Sequence, residues 1–418
     1  MANALITPTI IAQEALFQLE NNLQMANQVH REYREEFVKV GQTVNIRKPV
    51  KFNTSNGATL VKQDVEEANT SITVSSQKHV GWEFSSVDLT MTIEEYSERY
   101  IQPAMITLAQ TVDSAGLALY KDVYSSVSNA SFVKPDTFAE FGILGQRMDE
   151  MAIPPSGSSS RLRRKLIGTS GFTHSVAGGQ AALNQERLVR EAWVRGRVNM
   201  IDDIDIFMDQ NVVSHTVGVA TGTPLVDGAT QNVTYAASKT TWTQSLITNG
   251  WTNDTADILL AGDVITLAGV NAVNPVPGEG AKQDLGYLQQ FTVTADAAAG
   301  ATTGPATLTI SPPIITSGPY QTVTAAPADD AAIVVLGTGG TPYSQHLGFH
   351  RNAFALVTVP LVMPQGAAFK ARATHKGLSI RVIRDYDITN DVEIIRLDIL
   401  YGWKTIYPDI AARYWTTV

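Results

Sequence analysis

The chain contains no cysteine. That excludes disulfides, thiolate metal sites and cysteine nucleophiles, and it leaves the compartment open. Charge is scarce as well. Only 17% of the 418 residues are charged, and 40 acidic against 31 basic side chains leave a net charge of −9. A globally acidic chain is a poor wrapper of nucleic acid, although local basic patches remain open to it. No apolar run is long enough to span a bilayer, and MANALITPTIIAQEA lacks the basic start and long apolar core of a signal peptide. The expectation is a soluble protein made in the cytoplasm. Apolar residues, at 44%, are plentiful enough for a large core, so one large or two to three ordinary domains are expected.

Catalytic fingerprints are missing too. There is no G-x-x-x-x-G-K phosphate loop and no H-E-x-x-H pair. GTSGF around Ser170 is not a nucleophile elbow, and nearby His174 does not by itself make a triad. His346 and His350 have a metal-ligand spacing for a helix, but they flank Gly348 beside a predicted strand with no carboxylate nearby. A structural role is expected for both. Asp202, Asp203 and Asp205 lack the glycine and the closing glutamate of a calcium loop. No catalytic residue, metal or cofactor is expected, and the chain does not read as an enzyme.

What is present is architecture. From Thr92 to Val127, Ile101, Met105, Leu108, Val112, Ala115, Leu119 and Val123 recur at steps of three and four, which predicts a long helix over 103–127. Thr92 and the acids Glu94, Glu95 and Glu98 suit its start. Pro103 marks either a helix start or a kink. Residues 2–37 read as helical, with a stripe of Ile10, Leu16, Leu19, Leu23 and Met25. From Thr43 the period changes to two, through Val44 and Ile46, then Ile72 and Val74, then Val80, Trp82 and Phe84. This predicts an extended hairpin with a polar middle, stable only on another surface.

Beyond that helix, helices are predicted over 137–151, 172–183 and 185–197, with strands at 165–169 and 205–208. The mixture suggests an α+β domain. The loop IPPSGSSS is followed by Arg161, Arg163, Arg164 and Lys165, which read as a solvated loop edge, a subunit contact pairing with acids, or a phosphate-facing patch. At about Gly222 the composition shifts, and up to about Tyr343 the basic residues are Lys239 and Lys282 alone. Short strand signals at 263–267, 287–294, 307–310 and 332–336 alternate with turn residues, the pattern of a small β-barrel or sandwich. Its expected core is Val264, Ile265, Leu267, Leu288, Phe291, Val293, Leu308, Ile310, Val334 and Leu336. Strands at 353–360, 378–385 and 392–406 then resume the earlier style, which favours an insertion over a third tandem domain.

These parts, in this order, resemble a major capsid protein of the HK97 fold, in the P22-like branch of tailed-phage coat proteins. The segments that carry the resemblance are VDLTMTIEEYSERYIQPA, AGDVITLAGVNAVNPV, YLQQFTVTAD, TISPPI, GFHRNAFALVTVPL and RVIRDYDITNDVEIIRLDILYGWKTIYPDIAARY. The resemblance implies an α+β, HK97-like capsid fold with an inserted all-β barrel domain. It divides the chain into an N-terminal arm (1–41), an E-loop hairpin (42–87), a P-domain with the spine helix (88–130), a first part of the A-domain (131–221), the inserted β-barrel (222–345), and the rest of the A-domain with the closing P-domain strands (346–418).

By the same resemblance the chain assembles as hexamers and pentamers into an icosahedral shell around double-stranded DNA, held without sequence specificity. Assembly runs through a scaffolded procapsid in the host bacterial cytoplasm. The implied partners are itself, a scaffolding protein, a portal protein and the packaged DNA; a decoration protein is a further partner the resemblance admits. A scaffold contact is implied near Glu14, with Glu20 on the same helix. An acid-bearing loop of the insert is implied to touch a neighbouring capsomer. Residues 238–257 correspond to it, with Asp254 and Asp257 as its acids and Trp242 and Trp251 as apolar alternatives. The competing readings are a carbohydrate-binding or adhesin-like protein that uses Trp242 and Trp251 as a sugar platform, and, last, an enzyme.

Overall fold

The computed structural model describes residues 8–31, 43–55, 57–85, 97–154, 163–181, 200–252, 258–276, 282–298, 304–367, 369–375, 377–390 and 392–418. Thr92 and the predicted 185–197 helix lie outside them. The chain divides into two compact units, one of residues 1–45, 71–117 and 354–404, the other of 46–70, 118–353 and 405–418.

In the first unit, helices cover one face of an antiparallel sheet. Helix α1 (Pro8–Asn22) buries Ile11, Ala12, Ala15, Leu16 and Leu19, the stripe of a helix with one face inward. Ile10, expected in that stripe, is exposed. Helix α2 (Gln102–Leu117) is the predicted long helix, and it is shorter than expected. A wide turn at Ser97–Ile101 precedes it and a tight 3₁₀ turn at Ala118–Asp122 follows. Pro103 sits in the first turn, where its missing N–H is not needed. Up to Leu119 the expected stripe alternates steps of four and three, and a straight helix drifts away from such a repeat. The buried set accordingly moves round to Ala104, Met105, Leu108, Ala109, Val112, Asp113 and Gly116, leaving Ala115 half-buried.

Asp113 is the unexpected member. Its buried carboxylate accepts from the backbone N–H of Gln24 (2.5 Å) and Ala26 (3.0 Å), and so starts the helical turn Met25–Gln28. Gly116 lets this turn and Trp403 approach. A Cβ there would lie 2.7 Å from the Trp403 ring and 2.9 Å from Met25 Sδ. The Trp403 indole N–H donates to Val112 O.

The sheet runs Phe354–Thr358, Val392–Thr405, Leu378–Asp387, Phe369–His375, and Ser76–Ser85 also pairs with Val392–Thr405. That last pairing extends from Val392↔Ser85 to Tyr401↔Ser76. The Val80–Phe84 stretch therefore is not an arm of the predicted hairpin. Thr43–Arg47 pairs instead with Asn69–Thr73.

The second unit holds two sheets. A seven-stranded mixed sheet includes, side by side, Ser126–Val127, Ala411–Thr417, Pro342–Phe349, Arg164–Gly168 and Ile204–Met208. Helices α3 (Phe138–Glu150) and α4 (Ser170–Ala181) seal it through Phe141, Leu144, Met148, Phe172 and Val176. Thr137 caps α3 by accepting from the Glu140 N–H, while the Glu140 carboxylate reaches back to the Asp136 N–H.

The other sheet is confined to residues 222–335. Its strand order is Ile333–Val335, Val264–Val273, Asp284–Val293, Ala306–Ser311, Gln244–Trp251, Gly222–Val226. A bridge from Leu225 to Ala332 brings its two ends together, giving one nearly closed sheet. Leu246, Trp251, Ile265, Leu267, Phe291, Val293, Leu308 and Ile310 fill it. Two of the expected core residues, Leu288 and Val334, face solvent, and Val264 packs instead against Val217, Tyr343 and Trp415. The strands Gly222–Val226 and Gln244–Trp251 were not foreseen. In QSLITNGW the inward positions include Gln244 and Thr248 while Ile247 points out, so the hydrophobic alternation is scrambled.

A fully buried arginine fastens this sheet to the rest of its unit. Arg413 donates to Ser126 Oγ (3.0 Å) and Gln345 Oε1 (3.3 Å) on one side, and to Gly262 O (2.8 Å) and Thr292 Oγ1 (3.4 Å) on the other. Its planar head lies over the rings of Tyr120 and Trp415. Burial lowers its pKa to about 9. Beside it the carboxylate of Asp263 takes hydrogen bonds from His215 Nε2 (2.7 Å), the Leu260 N–H (2.7 Å) and the Gly218 N–H (3.0 Å).

The apolar core of the six-stranded sheet lies within residues 220–335, at roughly 1.5–3 kcal/mol per large buried side chain. Residues 222–343 expressed alone are therefore expected to give dispersed amide signals and to unfold cooperatively. Their melting temperature should lie below that of the full chain, because the Arg413 contacts are gone. A collapsed spectrum would show that the sheet needs the rest of its unit to form.

Candidate functional site

Among the described residues no group of three or more His, Asp or Glu side chains could hold a metal ion. His346 is fully buried in the middle of the seven-stranded sheet. Its ring lies 4.2 Å from that of Phe172, the Thr169 N–H donates to Nδ1, and Nε2 faces Thr416 Oγ1 at 2.9 Å. The proton therefore sits on Nε2 and the ring is neutral. Burial, with Lys134 nearby, lowers its pKa to about 3. His350 is lowered too, by burial and by Lys165, Arg164 and Arg351.

The basic run does not form a patch. Arg164 and Lys165 begin a strand flanked on both sides, and both are buried. Arg164 donates to Ile153 O (2.6 Å) and pairs with Asp149 (2.6 Å), while Arg163 lies 3.5 Å from Asp205. A charge run reads as a surface in one dimension, but a central strand draws its side chains inward. Arg161 lies outside the described residues.

The tryptophans do not form a platform either. Trp251 is 0% exposed and donates its indole N–H to Thr248 Oγ1 inside the six-stranded sheet. It has no surface to offer a sugar or a neighbour. Trp242 is half-buried, has a left-handed backbone (φ 57°), and packs edge-on to Tyr235. Asp254 and Asp257 lie outside the described residues.

On α1 the two acids separate. Glu14 accepts from Gln18 Nε2 (3.0 Å). Glu20 lies 3.8 Å from His375 Nε2 and faces a groove of about 600 Å³ that it shares with Phe17, Arg372 and His375.

Exposed apolar side chains are what the residue-by-residue reading missed. The described residues of 48–68 have no regular structure, and along them Leu60 is 80% exposed, with Phe52, Val61 and Val65 exposed as well. In the other unit Ile388 is 85% exposed at the turn before the Val392–Thr405 strand. Large apolar side chains left exposed along one segment are candidates for covering by a partner.

Residues 1–413 match the sequence profile of the family described as "P22 coat protein - gene protein 5". The chain belongs to the P22 coat protein family. Members of it are virion components that associate with one another into a capsid shell, and the role is structural. Solved structures similar to the chain include one from Mycobacterium phage Che8, at 11% identity over 94% of this chain and 90% of that one, with a TM-score of 0.47. Another is the mature capsid of bacteriophage PhiM1, at 10% identity over 89% and 81%, with a TM-score of 0.42. A virus-like particle from Pyrococcus furiosus shares 8% identity over 97% of each chain, with a TM-score of 0.35. No curated protein matches the chain. A family of shell subunits accounts for apolar side chains left bare on a single chain.

The buried histidines give the chain a pH response. Unfolded, His346 titrates near the ordinary value of about 6.5; folded, it stays neutral down to about 3. As the pH falls below about 6.5 the unfolded chain gains a proton that the folded one refuses, so stability drops by up to about 1.4 kcal/mol per pH unit from this site. Urea unfolding between pH 7 and pH 4 should show that slope, and His346→Gln should flatten it. An unchanged slope in the variant would remove His346 as its source.

Proposed function

We propose that the chain is the repeating subunit of an HK97-like icosahedral shell, set out as hexamers and pentamers around packaged double-stranded DNA. In this reading the shell first forms on a scaffolding protein in the host cytoplasm, with a portal at one vertex. Residues 1–41 act as the arm, 42–87 as the E-loop, 88–130 with the closing strands as the P-domain, and 131–221 with 346–418 as the A-domain. Residues 222–345 are the insertion domain, a β-barrel in this reading. What supports it is the family match over residues 1–413. The bare apolar loop is where it is most open to test, because a segment with Leu60, Val61 and Val65 exposed gains by lying across a second copy.

Expressed with its scaffolding protein, the chain should give closed, uniform particles in negative-stain electron microscopy. Leu60→Glu with Val65→Glu should abolish them while leaving the circular dichroism spectrum and the subunit's stability within about 0.5 kcal/mol, as for other surface substitutions. Particles of normal size from the double variant would take the loop out of the interface.

Glu14 serves in this proposal as the scaffold contact, with Glu20 nearby on the same helix. A hydrogen bond to a charged partner contributes about 1.5–3 kcal/mol. Glu14→Lys is expected to slow scaffold-dependent assembly by at least tenfold at low salt, with the difference shrinking as salt rises. Assembly at the original rate across the salt range would place the contact elsewhere.

A further inference from the structure

Where the irregular loop leaves its strand, Lys51 meets two connections between strands of the six-stranded sheet. Its backbone N–H donates to Tyr320 Oη (2.9 Å) and its ammonium to the carbonyl of Pro275 (3.4 Å). The ammonium of Lys282 takes the same carbonyl (3.3 Å) and that of Gln321 (3.3 Å). Two cations thus share one neutral oxygen, and among the described residues neither has a carboxylate within 4 Å. Each ammonium carries three donors, so donors are left over. Trp242 faces the same space, and its buried indole N–H has no acceptor.

The space is a small chamber of about 50 Å³ that adjoins a larger one of about 290 Å³. Lys51, Trp242, Pro275 and Tyr320 line both. Lys48 and Lys239 add two more cations to the larger one. The opposing charge is smaller: Asp409 lines both chambers and keeps its charge while accepting from Tyr124 Oη, and Glu150 is paired with Arg147. In a chain of net charge −9 this is a local excess of positive charge, held partly out of water. Burial, and then the neighbouring Lys51, lower Lys282 to about 8 against the opposing pull of Asp409.

We propose that the small chamber is a binding site for one tetrahedral oxyanion of the phosphate class, held by Lys51 Nζ, Lys282 Nζ and Trp242 Nε1. Several acceptor oxygens on one compact centre match three donors that converge from two strands' ends and a loop root. Neutralising the two lysines would also fasten the root of the apolar loop to the sheet. The site thereby couples an anion in solution to the order of an assembly surface.

The test uses the full-length subunit. Inorganic phosphate is titrated in at constant ionic strength, followed by calorimetry and by tryptophan fluorescence, with chloride and acetate as separate arms. Saturable heat with phosphate, at least tenfold tighter than with either other anion, is expected. Lys51→Gln and Lys282→Gln should each weaken it at least tenfold with an unchanged melting temperature. Trp242→Phe should remove the fluorescence change and weaken the binding seen by calorimetry. Should Lys282→Gln fail to fold, Lys51→Gln on the loop root carries the same comparison. Equal responses to phosphate and chloride, or lysine variants that bind phosphate as the original does, would overturn the proposal.

Discussion

The second unit depends on one buried guanidinium. Arg413 is taken wholly out of water, among the described residues without a direct carboxylate partner, a costly placement unless its donors are used. It is tolerated because oxygens converge on it from the ends of both sheets, through Ser126 and Gln345 on one side and Gly262 and Thr292 on the other. The fork of an arginine can serve both sides at once, which the single point charge of a lysine cannot. Asp263, held by His215 and two backbone N–H groups, sets a negative charge close by. The six-stranded sheet thus has a core of its own and is still not free to turn.

The first unit solves a similar problem with a carboxylate. Asp113 points from α2 into the interior and organises the turn that follows α1. Gly116 provides the room for Met25 and Trp403 to close over the same helix. In both units a polar group inside the core fixes a geometry that apolar packing alone would leave adjustable. Rigid interiors suit a member of a shell family. What such a chain offers its neighbours are surfaces, and these need to be held in place before a second copy arrives.

Those surfaces are unusual only for a lone chain. The apolar side chains of residues 52–65 look misplaced on a single subunit and sensible on a lattice. The cationic chamber lies at the root of that same segment, where Lys51 docks on Tyr320. A loop whose tip is apolar and whose root is charged can be fastened at one end and remain adaptable at the other.

The long helix, the α+β class and the β-rich stretch after Gly222 were all legible from periodicity and composition, since those signals are local. Partnership was not. Nothing local tells Val80 to pair with Leu397 rather than with a hairpin arm, or turns Arg164 and Lys165 from a basic run into a central strand. Trp251 read as a surface platform and is core, because Gly250 and the bulge beside it decide which way the strand faces. His346 became a neutral interior ring only once Phe172 and Thr416 had closed around it. Sequence alone settled where the long helix and several of the strands form, since helix and strand periods are written within a few residues. Tertiary structure decided which side chains are buried, charged or bare, because burial depends on neighbours far away in the chain.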